Sequence, residues 1–189
     1  MTMKKIGILT FHKSINYGSV LQAWALEKIL QKQNYNVSII DYEPSVYKKQ
    51  YGLLELSNGW KSNINRLPNY FARKSQAENF AKFRKSYLHL QDSCTKESFS
   101  KDILEKYDVI ITGSDQIWNV HALDADDVFF LPYDILARKV AYGCSVNNTD
   151  FTEERCDESL KKNLLDYDFI SIREKSGSQK VSAFLNGKK

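Results

Sequence analysis

Three short polar runs carry the residue types that do chemistry. Asn16-Tyr17-Gly18-Ser19 stands just ahead of an apolar helical pattern. Gly18 permits positive φ and Ser19 can cap a helix. Exposed N–H groups at a helix start cradle an anion. Neither G-x-G-x-x-G nor G-x-x-x-x-G-K-S/T occurs, so this is no dinucleotide fingerprint or P-loop. A simple capped turn is the plainer alternative. The second run is Gly113-Ser114-Asp115-Gln116-Ile117-Trp118-Asn119. Asp115 can accept a proton from a hydroxyl or orient it. Gln116 and Asn119 hydrogen-bond in both directions. Trp118 offers a flat face suited to a sugar ring, and His121 is near in sequence as a proton donor. The plainer alternative is a strand-to-loop turn with Trp118 in the core and a structural His121. The third run is Ser171-Ile172-Arg173-Glu174-Lys175-Ser176. The fork of Arg173 matches a carboxylate or a phosphate; the alternative is an Arg173–Glu174 surface pair, which is worth little.

Each run follows an element that must position it. The nearly all-apolar stretch 5–11 suits a strand buried on both faces, 107–112 reads as another buried strand, and 139–145 and 168–173 read as two further strands. Val20, Leu21, Trp24, Ala25, Ile29 and Leu30 recur at helical spacing, and 34–36 closes that helix ahead of a β-rich run at 37–42. Strand, helix, strand in under forty residues is a βαβ unit with a right-handed crossover. Helices are predicted over 73–89, 99–106, 152–165 (capped by Thr152) and 178–185. This alternation predicts an α/β fold with a doubly wound, mainly parallel, Rossmann-like sheet. Ligands bind at the carboxyl ends of such strands. Here those ends carry His12 to Gly18, Gly113 to Asn119, Ser145 to Asn147, and Arg173-Glu174.

With 42% hydrophobic and 26% charged residues in 189, the chain has the composition of a globular protein able to bury a core. No apolar run approaches the roughly 20 residues of a membrane helix, and no secretory signal opens the chain. We expect a cytoplasmic location, extending to the inner face of the membrane. Cys94, Cys144 and Cys156 form no C-x-x-C, so reduced, structural thiols are expected, with neither a metal site nor a disulfide framework. Residues 44–90 carry nine Lys/Arg against two Asp/Glu, with aromatics between them. This basic excursion reads first as a solvated helix face with aromatics turned inward. Nucleic acid is not an expected partner: a basic binder ranks last, and would be steeply salt-dependent.

Taken together, "NYGSVLQAWAL" (Asn16 to Leu26), "ITGSDQIWN" (Ile111 to Asn119) and "ISIREKSG" (Ile170 to Gly177) resemble the polysaccharide pyruvyl transferases, with "VAYGCSV" (Val140 to Val146) between the last two. The resemblance spans nearly the whole chain, with 44–100 generic. It implies one half of a GT-B-like architecture of two Rossmann-type domains. It also implies transfer of pyruvate from phosphoenolpyruvate to two hydroxyls of a sugar, as a ketal, in cell-surface polysaccharide synthesis. Asn16, Gly18, Gln22, Ser114, Asp115 and Trp118 match its blocks, and Arg173 is the candidate for the donor anion. Asp115 and His121 are the catalytic candidates; Gln116 and Asn119 join the substrate-binding set. The partners are phosphoenolpyruvate and a saccharide or lipid-linked oligosaccharide. The chain reads as a single N-terminal domain over 1–189 whose second domain is absent, to be supplied by a separately encoded chain if the enzyme is split. Two other readings are a non-catalytic saccharide-binding module and half of a sugar-nucleotide glycosyltransferase.

Overall fold

The computed structural model describes residues 3–45, 47, 70–122, 124–152 and 156–187. Strand β1 (Lys5–Leu9) leads into α1 (Tyr17–Lys32) and β2 (Asn36–Glu43). Then come α2 (Tyr70–Tyr87), β3 (Leu90–Thr95), a single turn α3 (Lys101–Leu104) and β4 (Val109–Gly113). A 3-10 turn (Asp127–Phe130) precedes β5 (Arg138–Cys144), α4 (Glu158–Leu165), β6 (Phe169–Ile172) and α5 (Lys175–Phe184). All six strands are parallel, in the order β3-β2-β1-β4-β5-β6. This is the doubly wound Rossmann order, whose direction of winding reverses between β1 and β4.

The two-residue period of the strands divides the core. Ile6, Ile8, Val37, Ile39 and Ile111 face one layer with Ala23, Leu26 and Leu88. Leu9, Ile40, Tyr42 and Ile110 face the other, with Trp118, Phe129, Leu160, Leu164 and Val181. Each central strand therefore reads as a continuous apolar run. The fully buried Glu27 of α1 accepts hydrogen bonds from Gln31 Nε2 (2.9 Å) and His89 N (3.0 Å), which ties α1 to the start of β3.

Several boundaries differ from expectation. The edge strand β3 was not predicted: LQDSCT buries only Cys94, so it lacks an apolar run. Its strand character comes from pairing with β2. Asp157, whose carboxylate accepts from Leu160 N at 2.9 Å, caps α4, so the helix starts after Asp157 and not at Thr152. Helix α5 begins three residues earlier than predicted, and Gly177 falls in its first turn. A Cβ there would stand 2.7 Å from Val146 Cγ2, so glycine permits the close approach of α5 to the loop after β5. Of the basic excursion, 48–69 lie outside the described residues. On α2, Arg73, Lys74, Lys82 and Lys85 are exposed and Phe80 is buried, as a solvated face requires, while Phe71 and Tyr87 remain exposed. No helix among the described residues is long and apolar enough to cross a membrane.

At the end of β4, Gly113 has φ +132°, and a Cβ would lie 2.3 Å from Tyr142 O, a backbone atom of β5 that cannot move away. Gly113→Ala is expected to lose about 3 kcal/mol or more of stability, combining backbone strain with overpacking. Gly18→Ala, whose Cβ would approach only the flexible Asn16 Oδ1 (3.1 Å), should stay within about 1 kcal/mol of wild type. Urea denaturation of both variants measures the contrast.

Candidate ligand crevice

The winding reverses where the carboxyl ends of β1 and β4 part, and the polar runs meet there. On the β1 side, Asn16 is the N-cap of α1: its Oδ1 accepts from Gly18 N (2.8 Å) and Ser19 N (3.3 Å). Gly18 and Ser19 thus sit inside the first helical turn, and the cap is Asn16, not Ser19. Gly18 takes no positive φ there. Farther along α1, Gln22 Nε2 donates to Thr10 Oγ1 at 3.0 Å, and Gln22 Oε1 accepts from Ser114 Oγ. One helix therefore reaches both loops of the crevice.

Ser114 makes the junction. It holds φ +64°, a left-handed conformation uncommon for serine. Its N–H donates to Tyr142 O at 2.7 Å, and its carbonyl accepts from Arg173 Nη2 at 2.6 Å. Asp115 follows. Its carbonyl accepts from Ser145 N (2.9 Å) and its Oδ1 from Gln116 N (2.8 Å), while Oδ2 is buried without a hydrogen-bond partner among the described residues. Ser145 Oγ in turn donates to Glu174 Oε1. The structure thus brings Gln22, Ser114 and Arg173 into direct contact, with Asp115 next in the chain and Asn16 at the head of the helix that bears Gln22.

Trp118 and Asn119 turn away from the crevice. Trp118 is wholly buried, with Nε1 donating to Phe129 O (3.1 Å) and its ring stacked on Phe130 at 5.6 Å. It is a core residue and offers no face to a sugar. Asn119 is buried, and its Oδ1 accepts from His121 N at 3.1 Å, which makes a local turn. Gln116 and His121 are exposed. Cys94 and Cys144 are buried, and burial raises their thiols to about 11 and about 12, so neither is a thiolate nucleophile near neutral pH.

Sequence reasoning left part of the edge unassigned. His12, fully buried, places Nδ1 3.1 Å from Thr10 O and Nε2 2.9 Å from Asp41 Oδ1. Lys13 Nζ lies 3.1 Å from the same Asp41 oxygen and 3.2 Å from Glu43 Oε2. Burial pushes the Asp41 carboxyl upward, but His12 and Lys13 outweigh it and hold the group well below the usual carboxylate range. A polar residue directly after a buried strand was the available signal for His12. For Asp41 the signal was a carboxylate near the end of an apolar run.

The polysaccharide pyruvyl transferase family model matches residues 16–187. No curated protein and no solved structure matches the chain.

Two measurements test these assignments. Trp118→Ala should cost about 3–5 kcal/mol of folding stability, the loss typical of truncating a buried aromatic ring; calorimetry reads it directly. Because the Asp41 carboxyl titrates lower in the folded chain than in the unfolded one, its contribution is complete above about pH 4. It disappears as acidification carries the pH down through the folded value. Urea midpoints followed from pH 6 downward should therefore fall more steeply for wild type than for Asp41→Asn.

Proposed function

Because the chain belongs to the polysaccharide pyruvyl transferase family, we propose that it serves the transfer of pyruvate from phosphoenolpyruvate to a sugar of a cell-surface polysaccharide. The observation that supports this reading is the hydrogen-bonded line Gln22–Ser114–Arg173 across the point where the sheet reverses. It sets a guanidinium and a carboxylate beside one crevice, where ligands bind in doubly wound sheets.

In this reading Arg173 holds the anionic donor. Its guanidinium makes one hydrogen bond within the described residues, to Ser114 O, which leaves other N–H groups for carboxylate or phosphate oxygens. Asp115 Oδ2, a buried acceptor without a donor among the described residues, takes a hydrogen bond from an acceptor hydroxyl. The ketal then forms by an addition followed by a displacement. The oxygen of the first hydroxyl bonds to C2 of the enolpyruvyl group and its proton passes to the base, while the proton donor adds a proton to the methylene carbon, completing a methyl group; exchange with solvent restores both residues. The second hydroxyl oxygen bonds to C2 as the C2–O bond to phosphate breaks. Phosphate leaves with the bonding electrons, and the second hydroxyl proton is transferred to it. His121 is the proposed proton donor and Asp115 the base. No cofactor enters this scheme. The facing wall of the crevice is assigned to a second lobe, in the same or a separate chain, and the acceptor is a saccharide, free or lipid-linked. We place the work on the cytoplasmic side of the membrane.

Thermal shift measures the donor assignment. Phosphoenolpyruvate at a hundredfold excess over its Kd should stabilise the protein by about 2.7 kcal/mol. Arg173→Ala should abolish that shift while keeping the unliganded melting temperature. Phosphate release, assayed with saccharide acceptors and with any second lobe added, should be lost in Asp115→Ala. Stabilisation by nucleotide sugars but not by phosphoenolpyruvate would assign the crevice to glycosyl transfer instead.

A further inference from the structure

The carboxyl edge is laced from β2 to β6 by hydrogen bonds that converge on Thr10, from His12 on one side and from Gln22 on the other. Asp41 Oδ1 meets His12 Nε2 at 2.9 Å, and His12 Nδ1 meets Thr10 O at 3.1 Å. Thr10 Oγ1 accepts from Gln22 Nε2 at 3.0 Å, Gln22 Oε1 accepts from Ser114 Oγ, and Ser114 O accepts from Arg173 Nη2 at 2.6 Å. The carbonyl of Thr10 and the carboxylate of Asp41 can only accept. Each nitrogen of the His12 ring therefore faces an acceptor oxygen. Gln22 bridges two hydroxyls, its amide nitrogen donating to Thr10 Oγ1 and its amide oxygen accepting from Ser114 Oγ.

The inner end of this run is dry and the outer end is wet. His12 is 0% exposed and Thr10 2%, whereas Arg173 lies at the surface. Around His12 the charged groups are Asp41 and Glu43 on β2, Lys13 beside it, and Arg84 on α2, whose Nη1 donates to Lys13 O at 3.4 Å. The Cys94 thiol of β3 also faces Asp41. A buried, doubly engaged imidazole in such a frame has little freedom to move. It can transmit its placement to whatever is bonded to Thr10.

We infer that His12 is a positioning residue for the ligand crevice: clamped between Thr10 O and Asp41, it fixes the loop after β1 and, through Thr10, Gln22 and Ser114, the placement of Arg173. His12 touches no ligand in this arrangement and acts through these residues. The inference rests on the donor-binding reading for what Arg173 does, but not for how Arg173 is held.

The test separates the two. Nuclear magnetic resonance spectra of the full chain report the Gln22 side-chain amide, the Ser114 backbone amide and the Arg173 guanidinium N–H. In Asp41→Asn the charge of the carboxylate is lost, so the contact that holds the ring at Nε2 weakens. All three signals should shift, and His12→Gln should shift them in the same way. Asp92→Asn is the control, because it removes a carboxylate bonded to Lys106 and Tyr107 outside this run; it should leave all three in place. Phosphoenolpyruvate, titrated into the same samples, should bind about tenfold more weakly to Asp41→Asn than to wild type. Shifts confined to Thr10, His12 and Asp41, or equal affinity in wild type and variant, overturn the positioning role. A wild-type chain that ignores phosphoenolpyruvate overturns the donor reading, while the three signals still decide whether His12 positions Arg173.

Discussion

Ser114 holds the candidate site together. A single residue engages three elements with its three polar groups: the amide bonds to β5, the hydroxyl to α1, and the carbonyl to the arginine that follows β6. It does so in a left-handed backbone conformation directly after a glycine in the same half of φ space. Such conformations cost on the order of 1 kcal/mol or more and persist only where neighbours over-determine them. Here the neighbours are identifiable. The tight turn carries the chain off β4 at the reversal point of the sheet and orients the hydroxyl and carbonyl in different directions.

The fold was legible where burial is two-sided. β1, the β2 core and β4 read directly as apolar runs, because parallel strands covered on both faces have no polar alternation to blur them. β3 was illegible for the opposite reason. At the edge, with one buried side chain, its sequence Leu90-Gln91-Asp92-Ser93-Cys94-Thr95 matches no periodic template, and long-range pairing alone makes it a strand. The start of α4 was misplaced because Thr152 and Asp157 are both good caps, and only tertiary packing chooses between them.

The site was legible as loops but not as side-chain roles. Arg173, Asp115, Gln22 and Asn16 all sit at the carboxyl edge, since strand ends dictate where loops emerge. What the sequence cannot display is which way a ring in a loop turns. Trp118 reads equally well as a platform or as core; its contact with Phe129 O and its stacking on Phe130 place it inside. The His12–Asp41 pair was hidden by distance along the chain, with twenty-nine positions separating two polar groups that become neighbours only when β1 and β2 pair.

The capping of α1 has a consequence for discrimination. An incoming ligand finds two of the first amides of the helix already answered by a carboxamide from the preceding residue. A neutral oxygen of similar strength gains nothing by displacing it. An ionised oxygen does gain, because its hydrogen bonds are about twice as strong and the helix dipole adds to them. A ligand approaching this end of the molecule would therefore meet a threshold set by charge before one set by shape.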